Sequence, residues 1–320
     1  MTTKRFVPVL LVASLAFAAG CSSSEEPATG SARPPMDSLV SAEWLHEHLD
    51  DPDLVVLDAS VPVESDGDGG FRTVSGRAAY AEGHIPTAGF ADLKGELADP
   101  DSPHNFAVPP PEQFAAAMAA LGVGDDTRVV IYDSYGSAWA ARVWWMLRWV
   151  GFDDAALLDG GLDAWKAAGY ELSTEPATEP ARTLTVNLRP HLIVERDEMR
   201  AAIDDEQVNI IDALPEAHYK GDFAMYGRPG HIPTATNVPS MSLIDESGRF
   251  RSSSELDALF ETDRDKRTIT YCGGGIAASA DAFVMTRLGY EDVAVYTASL
   301  QEWAADPENP MVTGDGQEND

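Results

Sequence analysis

The chain has 320 residues, 44% hydrophobic and 23% charged, the balance of a folded protein long enough for one large domain or two ordinary ones. Lys and Arg number 22 against 53 Asp and Glu, a formal charge of −31, which excludes nucleic acid as the main partner and electrostatic adsorption to anionic lipid, since both need a basic footprint. Two cysteines, Cys21 and Cys272, are too few for a disulfide framework.

In chain order, Met1-Thr2-Thr3-Lys4-Arg5 precedes an apolar run over 6–19 and then Gly20-Cys21. A basic start, an apolar stretch too short for a permanent span and small residues before a break form a secretory signal pattern. Ala18-Ala19-Gly20-Cys21 resembles the lipobox of bacterial lipoproteins, which implies that Cys21 becomes the lipidated N-terminus. Residues 1–21 are read as signal and lipidation Cys, and export with lipid anchorage to the cell envelope is the expected localisation. The Ser-, Gly- and Pro-rich stretch 22–37 reads as a flexible tether.

A duplication organises the rest of the chain. Gly83-His84-Ile85-Pro86-Thr87-Ala88 returns as Gly230-His231-Ile232-Pro233-Thr234-Ala235. Val129-Val130-Ile131-Tyr132-Asp133 matches Thr268-Ile269-Thr270-Tyr271-Cys272, Gly151-Phe152-Asp153-Asp154 matches Gly289-Tyr290-Glu291-Asp292, and Trp165 matches Trp303. The first copy carries a longer middle segment over 99–111. Its patterns predict strands over 54–58, 128–133 and 155–159, alternating with helices over 111–121, 138–150 and 161–168. The second copy predicts strands over 208–212, 268–272 and 293–296 and helices over 254–260, 277–288 and 300–304. Alternating strands and helices imply an α/β fold, each copy a parallel sheet flanked by helices. The copies span 38–170 and 191–313. A Pro-containing linker over 171–190 joins them, and 314–320 reads as a disordered tail.

Cys272 ends a predicted strand and precedes Gly273-Gly274-Gly275 and a helix start. Ligands of open α/β sheets bind beyond the carboxyl ends of strands. Successive glycines let the backbone turn tightly with several N–H groups facing one concavity, and the helix start adds its positive end. A cysteine so placed is expected as thiolate, and the same cradle would hold an anionic sulfur. The two Gly-His-Ile-Pro histidines are expected to tie backbone together. Trp139, Trp144, Trp145 and Trp149 are expected in core or interdomain packing, with one available to floor a site.

With Arg142-Val143-Trp144-Trp145-Met146-Leu147-Arg148, Leu157-Leu158-Asp159-Gly160-Gly161, both Gly-His-Ile-Pro motifs and the loop Cys272-Gly273-Gly274-Gly275-Ile276-Ala277, the chain resembles the tandem rhodaneses, the thiosulfate and 3-mercaptopyruvate sulfurtransferases. The resemblance spans roughly 38–312. It implies two tandem rhodanese-like domains, the first catalytically silent because Asp133 stands where the active cysteine would be. It also implies double displacement: the Cys272 thiolate takes the outer sulfur of a donor as a persulfide, and a thiophilic acceptor such as cyanide or a thiol removes it. Backbone donors from Gly273 to Ala277 would hold the negative sulfur. No metal or organic cofactor is implied, and a monomer is expected.

Mercaptopyruvate-specific relatives resemble one another in carrying two arginines before the second Gly-His-Ile-Pro motif. Here His218 stands where the first is expected, and Arg228 sits just ahead of Gly230. Gly273 and Gly274 replace the Arg-Lys pair of vertebrate thiosulfate enzymes. The missing clamp favours thiosulfate or a small persulfide as donor, bound by Arg228, Lys220 and His218. A phosphatase on this architecture would need a longer loop closing with Arg, but Ala278 stands sixth after Cys272 and no basic residue follows until Arg287. The remaining alternative is a non-enzymatic, surface-anchored sulfur carrier or binding module.

Overall fold

The apolar runs of the first copy form strands buried at every position, as strands covered on both faces must be. In the computed structural model, which describes residues 1–3, 35–65, 67, 71–178, 180–314 and 317–318, they are β2 and β6 of a five-stranded parallel sheet. The signal, Cys21 and most of the tether lie outside the described residues.

The first domain runs β1 (Leu39–Val40), α1 (Ala42–His48), β2 (Leu54–Asp58), β3 (Val63–Ser65), β4 (Phe71–Thr73), α2 (Arg77–Glu82), β5 (Gly89–Phe90), α3 (Pro111–Ala120), β6 (Arg128–Tyr132), α4 (Ala138–Trp149), β7 (Ala155–Leu158) and α5 (Gly161–Ala167). The second runs β8 (Ile193–Val194), α6 (Arg196–Ala202), β9 (Val208–Asp212), α7 (Glu216–Tyr219), β10 (Thr236–Asn237), α8 (Ser253–Asp257), β11 (Arg267–Tyr271), α9 (Ile276–Arg287), β12 (Val293–Tyr296) and α10 (Ser299–Trp303). The sheet orders are β1-β7-β6-β2-β5 and β8-β12-β11-β9-β10, the same order strand for strand. All pairings within these two sheets are parallel.

Side chains of the first sheet alternate between two cores. Val55, Leu57, Val129 and Ile131 face one cluster; Leu54, Val56, Val130 and Tyr132 face another, capped by α1 and α5. The former cluster continues unbroken into the second domain, because α4 packs along α9. Nine of twelve α4 residues and eight of twelve α9 residues are buried, so both helices are enclosed nearly all round. Trp144 meets Phe283 edge-on across this seam at 4.9 Å.

At four places the structure adds to or differs from the expectations. Asp37 accepts from Leu39 N–H and pairs with Arg287, so the folded body reaches into the stretch assigned to the tether. The linker lies along the first domain: Thr185 bonds Asp125, Arg182 pairs with Asp126 and Arg189 with Asp153. In the tail expected to be disordered, Gln317–Glu318 pairs antiparallel with Val312–Thr313. The predicted helix over 254–260 is Ser253–Asp257: it starts where Ser252 and Glu255 form a reciprocal capping box and ends three residues early, at the Ala258 C-cap.

The Gly-His-Ile-Pro motifs do the same work twice. His84 Nδ1 lies 2.7 Å from Tyr80 O and its ring stacks on Tyr80; His231 Nδ1 lies 2.7 Å from Tyr219 O and stacks on Tyr219. The following Ile N–H donates to a buried strand tyrosine, Tyr132 in one copy and Tyr271 in the other.

Candidate active site

Tyr271 ends β11, the central strand, and Cys272 is the next residue. The chain leaves β9 towards one edge of the sheet and β11 towards the other, so Cys272 sits beside the point where the crossovers diverge. Its backbone is held from below by α10: Cys272 N–H donates to Ser299 Oγ at 3.1 Å, Leu300 N–H to Cys272 O at 3.1 Å, and Gln301 N–H to Gly273 O at 3.0 Å. Gly275 adopts φ +81° as the residue before α9, a left-handed turn that favours glycine. That turn brings Gly275 N–H to 3.1 Å from Cys272 Sγ. The sulfur thus receives an amide hydrogen and faces the positive end of a twelve-residue helix.

Gly273 has a different constraint. A Cβ there would stand 1.7 Å from the Tyr226 hydroxyl, which lies over the turn. Burial and the neighbouring Cys272 sulfur push that hydroxyl far above its ordinary range, so Tyr226 stays neutral.

Cys272 is only 3% exposed, yet its side of the turn lines a cavity of about 620 Å³ between the two domains. The second domain contributes Leu214, Tyr226, Gly273, Gly274, Ile276, Ala277 and Gln301; the first contributes Arg72, Thr73, Lys94, Asn105, Phe106, Tyr135 and Trp139. Asn105, from the long middle segment of the first copy, exchanges two hydrogen bonds with Gln301, at 3.1 and 3.0 Å. Lys94 Nζ donates to Thr73 Oγ1 at 2.9 Å, joining it to the β3–β4 hairpin that carries Arg72. Trp139 is the tryptophan that reaches this cavity; Trp144, Trp145 and Trp149 are in the core.

The structure brings Cys272, Gly273, Gly274, Ile276 and Ala277 to the cavity and sets Gly275 behind Sγ. It does not bring the proposed donor-binding residues there. Arg228 turns to the end of α10, donating to the carbonyls of Trp303, Ala304 and Asp306 at 2.9–3.3 Å, a clamp on the chain's last turn. Lys220 pairs with Glu216 one helical turn away at 2.5 Å, and His218 lies against Phe223. None of the three lines the cavity; the residue that the β9–α7 turn presents to it is Leu214. The cations there, Arg72 and Lys94, belong to the first domain and were missed. Arg72 lies on a three-residue strand that has no period to read.

In the first domain Asp133 fills its own cradle. Oδ1 accepts from Tyr135 and Ser137 N–H, and Oδ2 from Trp139 and Ala140 N–H, at 3.0–3.1 Å. Burial still pushes this carboxyl up to about 6 against those four donors. Ser134 faces a separate cavity beside Asp133.

Two identically ordered sheets, one ending its central strand in a cysteine cradle and the other in a carboxylate locked into the equivalent cradle, define a duplicated α/β protein with a single sulfur-bearing site. The model of the Rhodanese-like domain matches residues 41–168 and again 195–306, so the chain belongs to the rhodanese-like family. It is 35% identical to "Thiosulfate/3-mercaptopyruvate sulfurtransferase 2" of Arabidopsis thaliana, over 86% of this chain and 86% of that one. Identity to the "3-mercaptopyruvate sulfurtransferase" of Escherichia coli K12 is 34%, over 85% of this chain and 97% of that one. The crystal structure of a 3-mercaptopyruvate sulfotransferase from Escherichia coli superposes with a TM-score of 0.73 at 33% identity, covering 82% of this chain and 99% of that one.

Proposed function

We propose that the chain is a sulfurtransferase that moves sulfane sulfur from thiosulfate, or from 3-mercaptopyruvate as second choice, to a thiophilic acceptor such as cyanide or a thiol. The observation that carries this reading is the Gly275 N–H on Cys272 Sγ at the floor of a cavity whose rim holds Arg72 and Lys94. With thiosulfate, the Cys272 thiolate attacks the outer sulfur. A new S–S bond forms at Cys272, the S–S bond of the donor breaks, and sulfite leaves with its electron pair. Cyanide then attacks the terminal persulfide sulfur, thiocyanate departs, and the thiolate returns. The Gly275 amide and the start of α9 favour negative sulfur in both states. The sulfonate of the donor is held from the first domain by Arg72 and Lys94. The absence of any second-domain cation on the described cavity lining supports the preference for thiosulfate.

The test is thiocyanate formation from thiosulfate and cyanide. The native chain should turn over and Cys272→Ala should not, while Arg72→Ala should raise the KM for thiosulfate several-fold with kcat little changed. Equal rates for the native chain and Cys272→Ala would leave the non-enzymatic carrier as the better reading, and faster turnover of 3-mercaptopyruvate would reverse the donor order.

The same reading puts the protein in the cell envelope, exported and anchored through lipid on Cys21, with its two rhodanese-like domains working as a monomer. Burial of the apolar faces of α4 and α9 against each other supports the last point. Cys21→Ser should move the protein from the membrane fraction to the soluble fraction or strand it unprocessed; unchanged membrane retention of the processed chain would count against the anchor.

A further inference from the structure

Arg142 belongs to α4 of the first domain, yet its guanidinium ends at the active-site turn of the second. The residue is 0% exposed. Nη2 donates to Phe106 O at 2.9 Å, while Nε and Nη1 have no hydrogen-bond partner among the described residues. Nη1 lies 3.0 Å from the point where a Cβ on Gly275 would stand, and Gly275 is the residue whose N–H meets Cys272 Sγ. Burial pulls this guanidinium down to about 10, against the opposing pull of the Cys272 sulfur, so it remains cationic at neutral pH.

A whole charge with two unpaired donors in a dry helix seam is an expensive arrangement that packing alone does not call for, because an apolar side chain would fill the same volume. It is relieved when an anion comes within electrostatic reach. The anion available is the sulfur of Cys272, as thiolate before transfer and as persulfide after it. Among the described residues, the charge that opposes the effect of burial on Arg142 is that of the Cys272 sulfur. Tyr226 is neutral, and burial pushes the Asp281 carboxyl on α9 well above the ordinary carboxylate range, with neither oxygen hydrogen-bonded. Asp212, at the end of β9, is pushed up to about 6 and receives the Tyr271 hydroxyl. Arg72 and Lys94 stand across the cavity, where the donor enters. No carboxylate lines the described part of that cavity.

We infer that Arg142 is a positioning residue for sulfur transfer: a buried cation supplied by the silent domain, set behind the Cys272 turn, that favours the anionic sulfur and makes the chemistry of the second domain depend on the first. This rests on the sulfurtransferase reading for its purpose, but its test reads the sulfur's ionisation directly.

The measurement is the rate of iodoacetamide alkylation of Cys272 against pH, followed on the Cys272 peptide by mass spectrometry. It compares the native chain, Arg142→Lys, Arg142→Gln and Arg142→Met, with folding checked by near-UV circular dichroism. The midpoint of the curve should move up by about one pH unit in the folded neutral variants, the expected effect of removing a nearby opposite charge. Arg142→Lys should restore most of the native midpoint. Thiocyanate turnover at pH values well below the native alkylation midpoint should fall about tenfold in the neutral variants, as the tenfold loss of thiolate there requires, with the KM for thiosulfate within twofold. A folded neutral variant with the native alkylation curve overturns the inference. Should neither neutral variant fold, the native chain decides: the Arg142 Nε–H resonance, assigned by its loss in Arg142→Lys, should shift when thiosulfate loads sulfur onto Cys272, and an unmoved resonance overturns it. An alkylation curve that depends on Arg142 in a chain that makes no thiocyanate would sink the sulfurtransferase reading while leaving this one standing.

Discussion

Asp133 accepts amide hydrogens from Tyr135, Ser137, Trp139 and Ala140, so its two carboxylate oxygens occupy the space that an anionic sulfur would need. A carboxylate cannot form a persulfide, and here it also closes the cradle around itself. Its contribution is therefore to stability. Asp133→Ala would leave buried amides without an acceptor, and even partial replacement by water should destabilise the fold by at least about 2 kcal/mol. Turnover of the folded variant should stay within about twofold of native, because Cys272 and its turn are untouched and Asp133 itself does not line the cavity. Urea denaturation with parallel thiocyanate assays separates the two effects. A large loss of turnover at full stability would show that the first domain is not catalytically silent. The Asp133–Cys272 contrast was legible in sequence, since both residues end matching apolar runs. The guanidinium destinations were not. Arg228 reads as a cation beside the site, yet its partners are carbonyls more than seventy positions away that no local pattern announces. Arg142 reads as one letter of an aromatic helix, and only the packing of α4 on α9 shows where it points.

At the scale of elements, the strands of four or five residues were readable: β2, β6, β7, β9, β11 and β12 lie within one residue of the predicted limits at each end. The edge strands β1, β5, β8 and β10 have two residues each, too few to show a period of two, so each sheet emerged with only its three central strands. Their identity becomes visible only through pairing, as when Leu39 and Val40 register against Leu157 and Leu158. The site shows the same division. The cradle is a local feature, built by one strand end, one turn and one helix start, and its sequence reveals it. The cavity wall is assembled from the β3–β4 hairpin, the irregular segment holding Asn105 and Phe106, and the loop holding Tyr226. These lack periodicity, and their convergence depends on the interdomain seam. The length mismatch between the copies was the one signal available. The extra residues of the first copy include Asn105, which bonds Gln301, and Phe106, whose carbonyl receives Arg142.

For the whole molecule, a formal charge of −31 and a set of buried acids act on stability with different signatures. Asp133 and Asp212 are both pushed up to about 6 from 3.8 by burial, and Asp58 is raised as well. A carboxyl raised in the folded state keeps its proton where the unfolded chain has lost it. The folded protein therefore binds more protons between about pH 4 and 6, and stability from these groups is present below that window and lost as pH rises through 6. Each shift of about two units corresponds to roughly 3 kcal/mol over the whole window, of which under about 1 kcal/mol per group remains above pH 5.5; the surface carboxylates lowered by their partners act in the opposite sense only at more acid pH. Tm should accordingly be higher at pH 5.5 than at pH 8. Surface repulsion also eases slightly on acidification, but salt screens it within about 10 Å at 0.1 M, whereas the buried pair is shielded from the ions. Thermal scans at low and high NaCl distinguish the sources. A pH 5.5 advantage that persists in 0.5 M NaCl and shrinks in Asp212→Asn belongs to the buried acids. An advantage abolished by salt belongs to the surface, and a pH dependence of Tm left unchanged by Asp212→Asn would contradict the raised carboxyls.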